Sequence, residues 1–160
     1  MLSPKVVGRM LQALKLREGD KVLEIGTGTG YVTACLARLG ASVVSIEIDP
    51  ALAEGARARL EAMQLRRVEV ITGDAMAGPV DGGPFDIIAV TGSLPTEEPL
   101  PMLRGQLTEG GRLFAVVGEP PVMEALLETR IHGGDIRREG LFETTEPSLQ
   151  NVPQPERFVF

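Results

Sequence analysis

The chain has 160 residues, 43% of them hydrophobic and 24% charged, enough for one buried core and too ordinary for a fibrous or disordered protein. Twenty-two acidic against sixteen basic side chains leave a net charge of −6, which argues against broad binding along a nucleic-acid backbone. No apolar run reaches membrane-spanning length, no signal pattern opens the chain, and the single cysteine, Cys35, excludes an internal disulfide, so the expected compartment is the reducing cytoplasm.

Ser3-Pro4 reads as a helix cap followed by proline at the first helical position, and Val6, Val7, Met10, Leu11 and Leu14 recur at helical spacing. A first strand spans Val22 to Ile25. A helix follows from Tyr31 to Leu39, ended by Gly40 as a left-handed cap. Ser42 to Glu47 form a second strand, Pro50 to about Met63 a long helix, and Val68 to Ile71 a third strand. Phe85 to Val90, apolar on both faces, reads as a central parallel strand; Glu97 to Leu107 reads as a helix and Arg112 to Val117 as a fifth strand. Glu124 to Ile131 and Ile136 to Glu143 flank His132-Gly133-Gly134-Asp135, which favours a β-hairpin over a competing helix from Val122 to Arg130. Ser148 to Glu156 is a proline-rich loop, and Arg157 to Phe160 is expected to return as a short strand. The alternation predicts a single α/β domain over residues 1–160: a doubly wound, mostly parallel sheet with an antiparallel C-terminal hairpin.

The run Lys21-Val-Leu-Glu24-Ile-Gly26-Thr27-Gly28-Thr29-Gly30 carries the chemistry. A strand that ends on an acidic residue and turns through glycines into a helix N-terminus is the build of a nucleotide-cofactor site. The dinucleotide pattern G-x-G-x-x-G requires its third glycine at position 31, which is Tyr31. The spacing here is E-x-G-x-G-x-G, the form used by S-adenosylmethionine methyltransferases. An NAD site and a tight turn without ligand are the competing readings.

Glu47 closes the second strand twenty-one residues after Gly26, where nucleotide folds place the carboxylate that binds ribose hydroxyls; an ordinary strand-end carboxylate is the alternative. Ile48 follows it, and Asp49 reads as a cap before Pro50. Asp74 and Ala75, after the third strand, are candidates for the adenine edge, with a plain turn aspartate as the alternative. Glu24 either orients the cofactor's ammonium end or braces the turn. Thr91-Gly92-Ser93 is expected just after the fourth strand, which places Thr91 where an acceptor meets the methyl group. Arg57, Arg59, Arg66 and Arg67 read as a solvated helix face. Acid-base equipment is sparse: His132 sits in a turn, Cys35 reads as core, and no Cys/His cluster suggests a metal. That poverty suits an acceptor carboxylate, which is already ionised at neutral pH and needs no general base.

Val22-Leu-Glu-Ile-Gly-Thr-Gly-Thr-Gly-Tyr31-Val-Thr-Ala34 resembles the protein-L-isoaspartate O-methyltransferases, which typically carry V-L-E-I-G-T-G-S-G-Y-x-T-A. Val68-Glu69-Val70 running to Gly73-Asp74, Phe85-Asp86-Ile87-Ile88-Ala89-Val90-Thr91, and Gly110-Gly111-Arg112-Leu113 leading to Val117-Gly118-Glu119 extend the resemblance over nearly the whole chain. It implies a Rossmann-like methyltransferase fold and methyl transfer from S-adenosylmethionine, leaving S-adenosylhomocysteine, to the α-carboxylate of L-isoaspartyl residues in damaged peptides or proteins. Cofactor positions are then Glu24, Gly26, Thr27, Gly28, Gly30, Tyr31, Glu47, Ile48, Asp74 and Ala75, with Ser3 and Thr91 on the acceptor side. Members usually carry a further segment before the first helix and Ser-x-Pro at its start, so Ser3-Pro4-Lys5 reads as an N-terminally short relative. A small carboxyl or hydroxyl acceptor, and a cofactor-binding partner protein without turnover, are the rival functions.

Overall fold

Helix starts follow the local chemistry of the chain. In the computed structural model, which describes residues 2–156, α1 (Pro4–Leu14) begins where the Ser3 hydroxyl accepts the Val6 N–H at 3.4 Å, and α3 (Pro50–Ala62) where Asp49 Oδ1 accepts those of Ala51 and Leu52 at 2.8 and 3.1 Å. The helix between them, α2 (Tyr31–Arg38), starts differently: its cap is Gly30 at φ 82°, with no side-chain cap. Gly40 at φ 96° closes α2, its N–H reaching Ala37 O at 3.1 Å while the Ala41 N–H reaches Leu36 O at 3.2 Å.

The strands are β1 (Lys21–Ile25), β2 (Ser42–Glu47), β3 (Val68–Thr72), β4 (Phe85–Leu94), β5 (Leu107–Glu119), β6 (Val122–Arg130) and β7 (Ile136–Glu143); α4 (Leu100–Arg104) precedes β5. They form one sheet in the order β3-β2-β1-β4-β5-β6-β7, parallel through β5 and antiparallel for β6 and β7. Chain order reverses between β1 and β4, so the crevice at their carboxyl ends is the switch point where open α/β sheets bind ligands. Alternate residues divide the core. Val22, Val43, Ile87, Phe114 and Val116 pack under α1 and α2, whereas Leu23, Ile46, Ile88, Leu113 and Ala115 pack with Leu100 and Leu103 of α4 on the other face.

The sheet and hairpin follow the sequence reading, and three elements depart from its bounds by more than two residues. β4 runs four residues beyond Val90, so Thr91, Gly92 and Ser93 lie within the strand rather than after it; the extension is held by Val116 and Val117 of β5 and by the tail, as described below. The expected helix from Glu97 to Leu107 shrinks to α4, because Pro99 and Pro101 confine its start and the chain at Leu107 already pairs with Phe85 in the sheet. β5 accordingly begins at Leu107, with Gly110 at φ 78° taking up a register shift. The alternative helix over Val122 to Arg130 loses to the hairpin, whose β6 buries Met123, Ala125 and Leu126. The strand expected at Arg157 to Phe160 lies outside the described residues.

Candidate functional site

A cavity of about 340 Å³ opens at the switch point. The glycine turn forms its floor. The Gly26 and Thr27 N–H groups donate to Ile46 O at 2.9 and 3.3 Å, which docks the turn on β2. Gly26 has φ 98°, and a Cβ there would lie 2.8 Å from Thr91 Oγ1; Gly28 has φ 53° and open space where its Cβ would be. These two positions therefore require glycine for different reasons: one for close packing beneath the turn, the other for backbone conformation and room above it.

Glu47, buried at the end of β2, binds the turn from the side. Its Oε2 accepts the Gly28 N–H at 2.8 Å and its Oε1 the Asp49 N–H at 3.0 Å. Each oxygen keeps a lone pair for a hydroxyl donor. Asp74 sits across the cavity, its Oδ1 accepting from Met76 N at 2.8 Å and its Oδ2 from Asn151 Nδ2 at 3.4 Å. Between these carboxylates, Ile48, Leu52, Ala75 and Met76 make an apolar slot. Tyr31 and Leu52, 49% and 44% exposed, form an apolar rim. Thr91 lines the cavity, but its hydroxyl is committed to the Ile25 and Gly26 carbonyls, so it fastens β4 to the glycine turn.

The structure brings nine of the twelve residues singled out from the sequence to this one cavity: Gly26, Thr27, Gly28, Tyr31, Glu47, Ile48, Asp74, Ala75 and Thr91. Three stand elsewhere. Gly30 faces α3, where a Cβ would meet Leu60 and Ala56 at 3.4 and 3.5 Å; it allows the α2–α3 approach. Ser3 caps α1 while its neighbour Leu2 reaches the cavity. Glu24 is wholly buried behind the turn and takes hydrogen bonds from Thr33 and Ser45, which is the bracing alternative rather than the ligand-facing one. Its burial, together with the nearby Glu47 charge and against the two hydrogen bonds, pushes its carboxyl up to about 7.

One wall was not legible as such. Pro147, Ser148, Leu149 and Gln150 line the cavity from the C-terminal side. Ser93 anchors them: its N–H donates to Pro147 O at 2.8 Å, its hydroxyl to Glu146 O at 3.0 Å, and its carbonyl accepts from Leu149 N at 3.0 Å. Leu149 packs so closely that a Cβ on Gly92 would stand 2.6 Å from its Cδ2. Val152 then enters the core on the α4 face.

Comparison with known proteins gives this geometry a family. A model described as protein-L-isoaspartate(D-aspartate) O-methyltransferase matches residues 1–138. A protein-L-isoaspartate O-methyltransferase of Koribacter versatilis is 44% identical over 135 residues, covering 84% of this chain and 60% of that protein. Protein-L-isoaspartate O-methyltransferase 1 of an Anaeromyxobacter species is 48% identical over 124 residues, covering 77% and 58%. The chain thus spans about three fifths of the length of these relatives. Among solved structures, a protein-L-isoaspartate O-methyltransferase superposes with a TM-score of 0.82 at 26% identity, covering 94% of this chain and 48% of that one. A Plasmodium falciparum structure in complex with S-adenosyl-L-homocysteine shares the fold, with a TM-score of 0.77 at 20% identity over 94% of this chain and 75% of its own. On the family match and these identities, the chain belongs to the protein-L-isoaspartate O-methyltransferase family.

Proposed function

We propose that residues 1–160 form one S-adenosylmethionine-dependent methyltransferase domain that methylates the free α-carboxylate of L-isoaspartyl residues in damaged peptides or proteins. The observation that carries the reading is the Gly28–Glu47 pair: an open glycine backbone joined at 2.8 Å to a buried, cavity-facing carboxylate, in a chain of this family.

The residues fit the cofactor. Glu47 offers lone pairs to ribose hydroxyls, Gly28 leaves room above the turn, and Ile48, Leu52 and Met76 flank a slot suited to adenine with Asp74 and Ala75 at its edge. When bound, S-adenosylmethionine supplies a methyl group on a positively charged sulfur. This chain's own residues bind, orient and exclude water. Thr91 fixes the floor beneath the acceptor, and Leu149 and Pro147 wall the site from solvent. Ser3 is retained as an acceptor-side residue through its neighbour Leu2 at the cavity. No histidine lines the cavity among the described residues, which suits a nucleophile that is ionised before it binds. The ester formed can close to a succinimide with loss of methanol, and hydrolysis of that ring returns normal aspartate in part.

The test is transfer of labelled methyl from S-adenosylmethionine to matched peptides carrying L-isoaspartate or aspartate. Base-labile label on the isoaspartyl peptide alone is the expected result. Cofactor binding with label on neither peptide would overturn the assigned acceptor and favour a small-molecule acceptor or a binding protein without turnover.

A further inference from the structure

Behind the glycine turn runs a chain of three hydroxyls ending on a carboxyl group. Thr27 Oγ1 lies 2.6 Å from Ser45 Oγ, Ser45 Oγ lies 2.7 Å from Glu24 Oε2, and Thr33 Oγ1 donates to the same Oε2. All four side chains are buried, and of the four only Thr27 lines the cavity. Glu24 Oε1 is buried without a hydrogen-bond partner. We propose that Glu24 is a positioning residue for the cofactor: through Ser45 it sets the direction in which the Thr27 hydroxyl donates, and through Thr33 it holds the first turn of α2.

The direction follows from donor and acceptor counts. An ionised Glu24 only accepts, so Ser45 must donate to it. The single Ser45 proton is then used, and Thr27 must donate to Ser45. Thr27 is left with lone pairs alone for any other neighbour, which suits a cationic donor such as an amino acid's ammonium group. Protonation reverses the chain. Oε1 has no partner in reach, so the partnered place for the proton is Oε2, which faces Ser45 and Thr33; toward Ser45 it leaves Thr33 donating as before, and the displaced Ser45 proton has Thr27 Oγ1 to receive it. Ser45 then donates to Thr27, and the Thr27 proton turns away from Ser45.

Both states are accessible near neutrality, because the carboxyl is pushed up to about 7. The packed elements bring Ser45 and Glu47 of β2, Tyr31, Thr33, Cys35 and Arg38 of α2, and Asp86 of β4; of their charges only Glu47 acts on Glu24, in the same sense as burial. The inference rests on the cofactor reading above and adds that its affinity depends on a carboxyl group it does not touch.

The experiment is calorimetric binding of S-adenosylmethionine at pH 6 and pH 8 to the wild type, Glu24→Gln and Thr27→Val, with His132→Asn as control for the chain's one histidine. Wild type and His132→Asn should bind about fivefold more tightly at pH 8, the effect between these two pH values of a linked fall of about one pH unit in the Glu24 midpoint. Glu24→Gln should be flat, and Thr27→Val should lose most of the dependence. Equal wild-type affinity at the two pH values, or parallel slopes in wild type and Glu24→Gln, overturns the proposal and leaves the cofactor reading standing. No binding at either pH overturns both. A carboxyl-carbon NMR titration of wild-type Glu24 needs no variant: its midpoint should fall when S-adenosylhomocysteine is added, and an unmoved midpoint overturns the proposal.

Discussion

Replacing Gly92 with alanine should press the C-terminal wall off the cavity. The new Cβ would lie 2.6 Å from Leu149 Cδ2, 2.8 Å from its Cγ and 3.3 Å from Pro147 O. Ordinary carbon contacts lie at about 3.5–4.0 Å, so the leucine must move by about 1 Å. The Leu149 backbone is pinned to Ser93 on one side, which leaves side-chain rotation or displacement of the whole segment. Overpacking of this kind costs about 1–3 kcal/mol. Leu149→Ala alone loses a partly buried leucine, at about 1 kcal/mol. In the double variant the obstructing atoms are gone, so the two effects should fall short of additivity by about 1–2 kcal/mol. Urea unfolding of the four proteins measures the coupling, and S-adenosylhomocysteine titration reads whether the wall has opened. Additivity within about 0.5 kcal/mol would refute the packing of Leu149 on Gly92 and with it the tail as a cavity wall.

Other perturbations test separate links. Glu47→Ala should weaken cofactor binding by about ten- to a hundredfold in a folded protein, measured by calorimetry; unchanged affinity removes Glu47 from the site. Glu128 is fully buried on β6 between Arg104, at 2.6 and 3.0 Å, and Arg138, at 2.9 Å, and Arg138 also holds Glu97 at 2.7 and 2.9 Å. Glu128→Ala strands the Arg104 guanidinium, while Arg138 keeps Glu97, and should cost about 1.5–3 kcal/mol in urea unfolding, whereas Glu97→Ala, at the exposed end, should cost under about 1 kcal/mol. Glu24 should also tilt the pH dependence of stability. Its carboxyl rises on folding from 4.5 to about 7, so the native state binds more protons in that interval and stability falls as pH rises through it. The drop is about 3 kcal/mol in all and should vanish in Glu24→Gln. The Arg138 hydrogen bonds lower the Glu97 carboxyl, which works in the opposite sense: that small contribution is lost as pH falls through the lowered midpoint.

Much of the site was legible because its signals are local. Glycines at fixed spacing after a strand report positive φ and close approach; Gly26 shows both and Gly28 the first. Glu47 and Asp74 lie at strand ends in a parallel sheet, and that topology alone carries them to one crevice. What failed depends on contacts distant in sequence. β4 reads as ending at Val90, since nothing near Thr91-Gly92-Ser93 announces a partner; the partners are Val116 and Val117 of β5, reached across a register shift, and the stretch 146–149, more than fifty residues on. Leu149 and Val152 are apolar but flanked by Pro147 and Pro153 and without period, so no pattern marks them as wall and core. Gly30 belongs to the motif by spacing, yet its neighbours Leu60 and Ala56 arrive from α3. Position in a motif does not tell which face of the turn a glycine serves.

Glu24 shows why one acidic residue can be read two ways from sequence. Its place at the end of β1 follows from the motif, but its side chain alternates with Leu23 and Ile25 and so points to the α2 face, where Thr33 and Ser45 meet it. The cavity and the carboxyl group therefore lie on opposite sides of the same backbone turn. Burial there raises the cost of its charge, while a cationic cofactor on the other side of the turn lowers it. Folding without ligand favours the acid and binding favours the anion, so ligand-induced stabilisation should grow with pH even as the free protein weakens. A residue serving packing alone would shift both protein forms equally, and the thermal stabilisation by S-adenosylmethionine would then be the same at pH 6 and pH 8.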